Sequence, residues 1–257
     1  MATYKKRGYK PKTKVEKEAD VIEDSTTAEV FTSLDQGASR TEEWVEKNQK
    51  AIFGVIGAVV LVILAVLAYN RFIVEPRETE AAEELTQAQE DFNTALTTTN
   101  TSVKDSLYGV ALNGSNGKYG LLEIADKYSS TKSGNLAKYY AGMSYLETNQ
   151  YQNAINFLQD FNSDDMMLAP LAKGAIGDAF SQLNQVEDAL SFYEDAIAVS
   201  TNDFTTPRFL FKAAITALNT EKKDKAVDWL NRIKDEFSDS DYAKQVDVYL
   251  GKAQATN

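Results

Sequence analysis

Residues 51–70, "AIFGVIGAVVLVILAVLAYN", run for twenty positions without a charge and lie well inside the chain. No other feature limits the fold so strongly. As a helix rising about 1.5 Å per residue, residues 51–69 extend roughly 28 Å, against about 30 Å for the hydrocarbon of a bilayer. Twelve of these nineteen are Leu, Ile, Val or Phe, which together favour insertion by about 4–7 kcal/mol. A helix lying on a soluble core would keep a polar face, and a signal peptide would be N-terminal and shorter; this run is apolar all round and internal. The expectation is a single transmembrane helix. Lys47, Lys50 and Arg71 close its ends, with Trp44, Tyr69 and Phe72 at headgroup level. Gly54 and Ala58 form a small-xxx-small pair that would let two such helices approach, although this spacing also arises by chance in Gly/Ala-rich spans.

The charges divide at the span. Residues 1–70 hold ten Lys/Arg and ten Asp/Glu, whereas residues 71–257 hold 17 and 28, which is the whole net charge of −11. Basic residues in short flanks set orientation, and Lys5, Lys6, Arg7, Lys10, Lys12, Lys14 and Lys17 all lie in the N-terminal tail. Close to the span the margin is only three to two, Arg40, Lys47 and Lys50 against Arg71 and Arg77. The expectation is N-terminus inside and C-terminal part outside, across a bacterial inner (cytoplasmic) membrane, with the acidic part in the periplasm. With no cysteine in the chain, stability there would rest on packing alone.

Residues 1–38 have too few large apolar side chains to offset ordering and read as a disordered tail. Its "KKRGYKPKTK" suits anionic lipid or RNA phosphate, or a plain solvated topogenic tail. At "SRTEEW", Ser39 followed by Glu42 offers a capping box opening a juxtamembrane helix, so that residues 39–75 form one unit with the span. Pro76 is expected to break or kink the helix beyond it.

Residues 77–116 read as a connecting helix and loop. Ala81, Leu85, Ala88, Phe92 and Ala95 recur at helical spacing over 78–98. The Thr-, Asn- and Gly-rich stretch that follows reads as a loop or short extended piece, ahead of a helix at 118–128. From 117 to 257 a repeat emerges. "NLAKYYAGMSYLETNQYQNAINFLQDF" is followed 35 residues later by "PLAKGAIGDAFSQLNQVEDALSFYEDA", and after a slightly longer interval by "PRFLFKAAITALNTEKKDKAVDWLNRI". Gly142 matches Gly177, and Ala154 matches Ala189 and then Ala226. Small residues at fixed places in a period near 34 indicate stacked helix pairs, because a small side chain is needed where two helices cross closely.

This pattern resembles the tetratricopeptide repeat, over repeats at about 135–165, 170–202 and 207–237 with flanking half-repeats at 118–128 and 240–253. The small residue of the first helix, the aromatic three later and the Ala of the second helix are present in the first two copies. Lys138 and Lys173 stand where a large apolar residue is usual. The expected fold is all-α: one transmembrane helix followed by a repeat α-solenoid. The architecture, with "EEWVEKNQKAIFGV" before the repeats, is similar to YfgM-like membrane-anchored tetratricopeptide-repeat proteins. That resemblance implies an accessory role beside the Sec translocon and periplasmic chaperones.

The chain contains no histidine and no cysteine, which removes Ser-His-Asp and Cys-His nucleophiles and the usual zinc ligands. Adjacent carboxylates such as Asp164–Asp165 and Glu194–Asp195 point in different directions on a helix and read as surface charge. No catalytic residue, metal or cofactor is therefore expected, and the acidic outer part argues against nucleic acid. What remains is a binding surface. In the repeat fold, the first helices line a groove at positions that here are Leu136, Tyr139, Met143, Leu146, Leu171, Asp178, Ser181, Arg208, Phe211, Ile215 and Leu218. Eight of these are apolar, which suits an extended or helical apolar segment. The helix at 78–98, or the one around Tyr242, Val246 and Tyr249, could instead fill the groove in cis. Two function classes remain open: a scaffold or chaperone-like factor acting on newly exported proteins, and a structural subunit of an envelope complex assembling through its span.

Overall fold

The computed structural model describes residues 26–218, 220 and 222–255. The expectations for residues 1–25 lie outside these. The chain divides into two units meeting at Tyr69–Asn70.

The first unit consists of α1 (Thr26–Tyr69), 44 residues in one helix. It contains the one stretch among the described residues that is long and apolar enough to cross a membrane, an 18-residue window of mean hydropathy 3.1 with none of it buried. Phe53, Val55, Ile56, Leu61, Leu64 and Leu67 all stand more than half exposed. In water that surface would be untenable; in hydrocarbon it is the favourable one. Two expectations need correction. Ser39 does not cap the helix but lies inside it, and residues 26–38 are helical rather than tail. Ala28, Glu29, Leu34 and Gln36 are good helix formers, and extending an existing helix through them is far cheaper than nucleating a new one at Ser39.

The second unit opens with a π-helical turn, Asn70–Val74, followed by α2 (Glu75–Thr97). The irregularity thus comes before Pro76, which sits in the first turn of α2 where its missing N–H costs nothing. There follow α3 (Thr101–Asn113), α4 (Leu121–Lys127), α5 (Lys132–Glu147), α6 (Tyr151–Gln159), α7 (Leu168–Gln182), α8 (Val186–Val199), α9 (Thr205–Leu218), α10 (Lys223–Glu236) and α11 (Ala243–Ala255). No strand occurs among the described residues. Helix α3 corrects the loop expected after residue 98. The Asn100 carboxamide oxygen accepts hydrogen bonds from the N–H groups of Ser102 at 3.1 Å and Val103 at 3.3 Å, and Tyr108, Ala111 and Leu112 bury one face. Ser, Thr and Asn favour caps and turns, so a helix that starts with them is hard to read in advance.

The pairs α5/α6, α7/α8 and α9/α10 are antiparallel hairpins, each packed on the next. Their turns explain the period. Asn149 and Asn184 adopt φ of 60° and 57°. In each turn the next residue closes back: Gln150 N–H donates to the Tyr145 carbonyl at 2.8 Å, and Gln185 N–H to the Phe180 carbonyl at 2.9 Å. This is the Schellman ending, with Asn in the left-handed position.

Where the helices of a hairpin cross, side-chain volume is limiting. A Cβ on Gly142 would lie 2.5 Å from Leu158 Cγ, and one on Gly177 would lie 2.7 Å from the Tyr193 ring. Ala154, Ala189 and Ala226 are fully buried on the second helices. Lys138 and Lys173, out of place by the repeat pattern, tie each first helix to its partner: Lys138 Nζ reaches the Asp160 carbonyl at 3.4 Å and Lys173 the Asp195 carboxylate at 3.3 Å. The closest approach between hairpins was not foreseen. A Cβ on Gly174 would fall 1.8 Å from the buried Phe209 ring. Helix α2 packs on α3, α4 and α5. Its stripe Ala81, Leu85, Ala88, Phe92 and Ala95 joins Tyr108, Leu121, Ile124 and Ala137 in one core.

Candidate interaction groove

The first helices α5, α7 and α9 place the eleven expected groove residues in three different surroundings. At the N-terminal end, Tyr139 is only 9% exposed. Its ring stands 5.6 Å from Tyr140 and 5.3 Å from Phe161. Burial holds its hydroxyl above the usual phenol range, the neighbouring Tyr140 adding to this and Arg208 opposing it. Leu136 and Met143 are half-buried against the core that α2 and α3 share with α5. Tyr140 beside them meets Phe92 of α2 at 5.0 Å and accepts from Gln89 Nε2 at 2.7 Å.

At the C-terminal end, Phe211 is 6% exposed because α11 lies over it, with Tyr242 at 5.5 Å and Tyr249 at 5.1 Å. Ile215, Leu218 and Leu171 are half-buried against the same cluster. Arg208 is half-buried, its guanidinium 5.5 Å from the Phe209 ring. Of the two readings left open, an uncovered apolar groove and one filled in cis, the C-terminal end follows the second, with Tyr242 and Tyr249 over Phe211, and Tyr139 at the other end is buried as well. Tyr139 is buried inside the stack, among Ile155 and Leu158 of α6 and Ala172 and Ile176 of α7, whereas Leu136 and Met143 lean on the core that includes α2 and Phe211 is covered by α11, as end repeats of a stack require.

Between these ends a cavity of about 550 Å³ remains. Leu146, Asp178, Ser181 and Ile215 of the expected set line it, together with Glu147, Asn149, Tyr151, Gln182, Tyr193, Lys212 and Thr216. Its character is polar. Lys212 Nζ lies 2.5 and 2.6 Å from the two oxygens of Asp178, and the Tyr193 hydroxyl donates to the same carboxylate at 2.8 Å. Burial, and then the Asp178 charge, push the Tyr193 hydroxyl far above its ordinary range, so it remains a donor at every physiological pH. At the rim, Lys104 of α3 meets Glu147 at 2.6 Å, and the Tyr151 hydroxyl donates to Asn149 at 2.7 Å.

Sequence reasoning missed most of this lining. One signal was available: Asp178 on an Ala- and Gly-rich helix requires a cation, and Lys212 is the only Lys of α9. The remainder, from turn residues such as Asn149, carries no signature.

Residues 136–164 match the sequence profile of the tetratricopeptide repeat. The match covers all of α6 and α5 from Leu136 onward. Comparisons with curated proteins and with solved structures give no match. The tetratricopeptide repeat is a protein-interaction fold that is typically non-catalytic. A repeat groove lined by hydroxyl, amide and paired charged groups can hydrogen-bond a polypeptide. Among the described residues no group of three or more His, Cys, Asp or Glu is placed to hold a metal ion.

Proposed function

We propose that this chain is a membrane-anchored interaction module, in which α1 crosses a bacterial inner membrane with the N-terminus in the cytoplasm and holds the repeats in the periplasm. There they act as an accessory scaffold or chaperone-like factor beside the secretion translocon, on newly exported proteins. One observation carries the reading: a repeat stack with a hydrogen-bonding cavity across three successive hairpins stands on the same chain as a helix whose apolar window is wholly uncovered. The basic N-terminal tail supports the orientation. The cavity suits an extended chain because amides and hydroxyls can pair with any peptide backbone, whatever its side chains.

The test is photocrosslinking in intact cells from Gln182, whose side chain is exposed at the cavity. Attachment to translocon components and to many unrelated secretory proteins is the expected result. A single fixed neighbour would instead assign the chain as a structural subunit of an envelope complex. External protease on spheroplasts should remove the repeats and leave a small protected fragment; survival of the repeats with loss of the tail would reverse the orientation.

A further inference from the structure

Helices α7, α9 and α11 begin on one plan. The Asp165 carboxylate accepts from the N–H groups of Met167 and Leu168, both at 2.8 Å. Asn202 does the same for Phe204 at 3.0 Å and Thr205 at 2.7 Å, and the Ser240 hydroxyl accepts from Ala243 N–H at 3.2 Å. Two residues stand between each capping side chain and its helix: Met166–Met167, Asp203–Phe204 and Asp241–Tyr242. At the third start Tyr242 folds back onto Phe211. At the first two the apolar residues stay outside, Met166 at 68% and Phe204 at 78% exposure. Asn202 Nδ2 donates to the Met166 carbonyl at 3.1 Å, which ties these two starts into one edge.

The same edge borders a cleft of about 450 Å³, floored by Leu158, Ile176 and Phe192 and rimmed by Phe161, Asp164 and Val199. It shares no lining residue with the groove cavity. Lys173, the one cation lining it, is engaged by Asp195. Asp164 and Asp203 are exposed and form no ion pair with a described residue. The surface therefore combines uncovered Met and Phe, a cleft with an apolar floor and a polar rim, and unneutralised carboxylates.

We propose that this edge is a second docking surface, separate from the groove, for a cationic amphipathic segment of a partner protein. Large apolar side chains of the segment enter the cleft and cover Met166 and Phe204, while its Lys or Arg residues meet Asp164 and Asp203. Exposed apolar side chains grouped beside a cleft, rather than scattered singly, mark interaction sites, and Met adapts its shape to different partners. The carboxylates choose the sign of the partner: an acidic segment or an anionic lipid surface would be repelled.

The experiment uses the full-length chain in zwitterionic nanodiscs, titrated with a fluorescent amphipathic peptide of Leu and Lys and with its counterpart carrying Glu in place of Lys. The Lys peptide is expected to bind, more weakly as salt rises, and the Glu peptide not to bind. The double variants Met166→Ser/Phe204→Ser and Asp164→Asn/Asp203→Asn should each weaken binding by roughly tenfold or more. Ser181→Trp, which obstructs the groove cavity, should leave it unchanged. Equal binding of both peptides, no binding, unchanged affinity in either double variant, or loss in Ser181→Trp would overturn the proposal. Self-association that Met166→Ser/Phe204→Ser abolishes, without peptide binding, would assign the edge to a second copy of the chain and equally overturn it. Photocrosslinking of the Lys peptide from position 204 provides the same decision should a double variant fail to fold.

Discussion

Lys212 of α9 and Asp178 of α7 form a two-oxygen ion pair, at 2.5 and 2.6 Å, across the junction of two successive hairpins. Both side chains are less than a third exposed. Replacing Asp178 with Ala leaves the Lys212 ammonium and the Tyr193 hydroxyl without their acceptor, at an expected cost of about 1–3 kcal/mol. The double variant Asp178→Ala/Lys212→Met should recover part of that loss. Chemical denaturation of the four proteins in the cycle measures the coupling, and additive effects would show that the pair contributes nothing.

Gly174 and Gly109 make opposite predictions from the same substitution. A methyl on Gly174 meets the Phe209 ring, which is 1% exposed and cannot swing away, so Gly174→Ala should lose about 1–3 kcal/mol. Around Gly109, inside α3, nothing lies within 4 Å of the added carbon. There Gly109→Ala should gain about 0.5–1 kcal/mol from reduced unfolded-state freedom. Melting temperatures moving in the same direction would contradict the packing described.

Tyr108 carries the one buried side-chain polar atom without a hydrogen-bond partner among the described residues, its hydroxyl. Burial, with a smaller effect of the Glu147 charge, pushes that hydroxyl up to about 12. Its ring packs edge-on to Phe92 at 5.6 Å. Tyr108→Phe keeps the ring and removes the desolvated oxygen, so stability should hold or rise by about 1 kcal/mol. A drop of similar size in a thermal melt would reveal a partner for the hydroxyl.

Glu78 of α2 supplies the start of α5 with a cap from outside its own helix. Its carboxylate accepts from Lys132 N–H at 2.7 Å, Ser133 N–H at 2.9 Å and the Ser133 hydroxyl at 2.7 Å. Burial raises its pKa, but the Ser133 hydroxyl, the two backbone N–H groups and the Lys132 charge outweigh that and hold it below the ordinary value. A lowered folded pKa means that the stabilisation is present above the unfolded value and lost as pH falls through the folded one. Glu78→Ala should therefore cost about 1–2 kcal/mol at pH 7, with the gap to the parent chain narrowing by pH 3. A pH-independent gap would exclude an ionised cap.

The sequence by itself determined the elements whose cause is local. Twenty uncharged residues at 51–70 require an apolar helix whatever surrounds it, and the recurrence of Gly142 and Ala154 at Gly177 and Ala189 requires helix hairpins that cross closely. Even the turns were legible in principle, since Asn149 and Asn184 recur at the same interval with the same positive φ. Helix α3 was not legible, because its Thr- and Ser-rich start serves caps, turns and helices alike until Tyr108 and Leu112 find a core. The groove was decided by tertiary structure alone. Tyr139 and Phe211 have the period of exposed groove residues, and only the packing shows that they are buried, Tyr139 among Ile155, Leu158 and Ile176 inside the repeat stack and Phe211 under α11. Periodicity records which face of a helix is apolar; it does not record which distant segment covers that face.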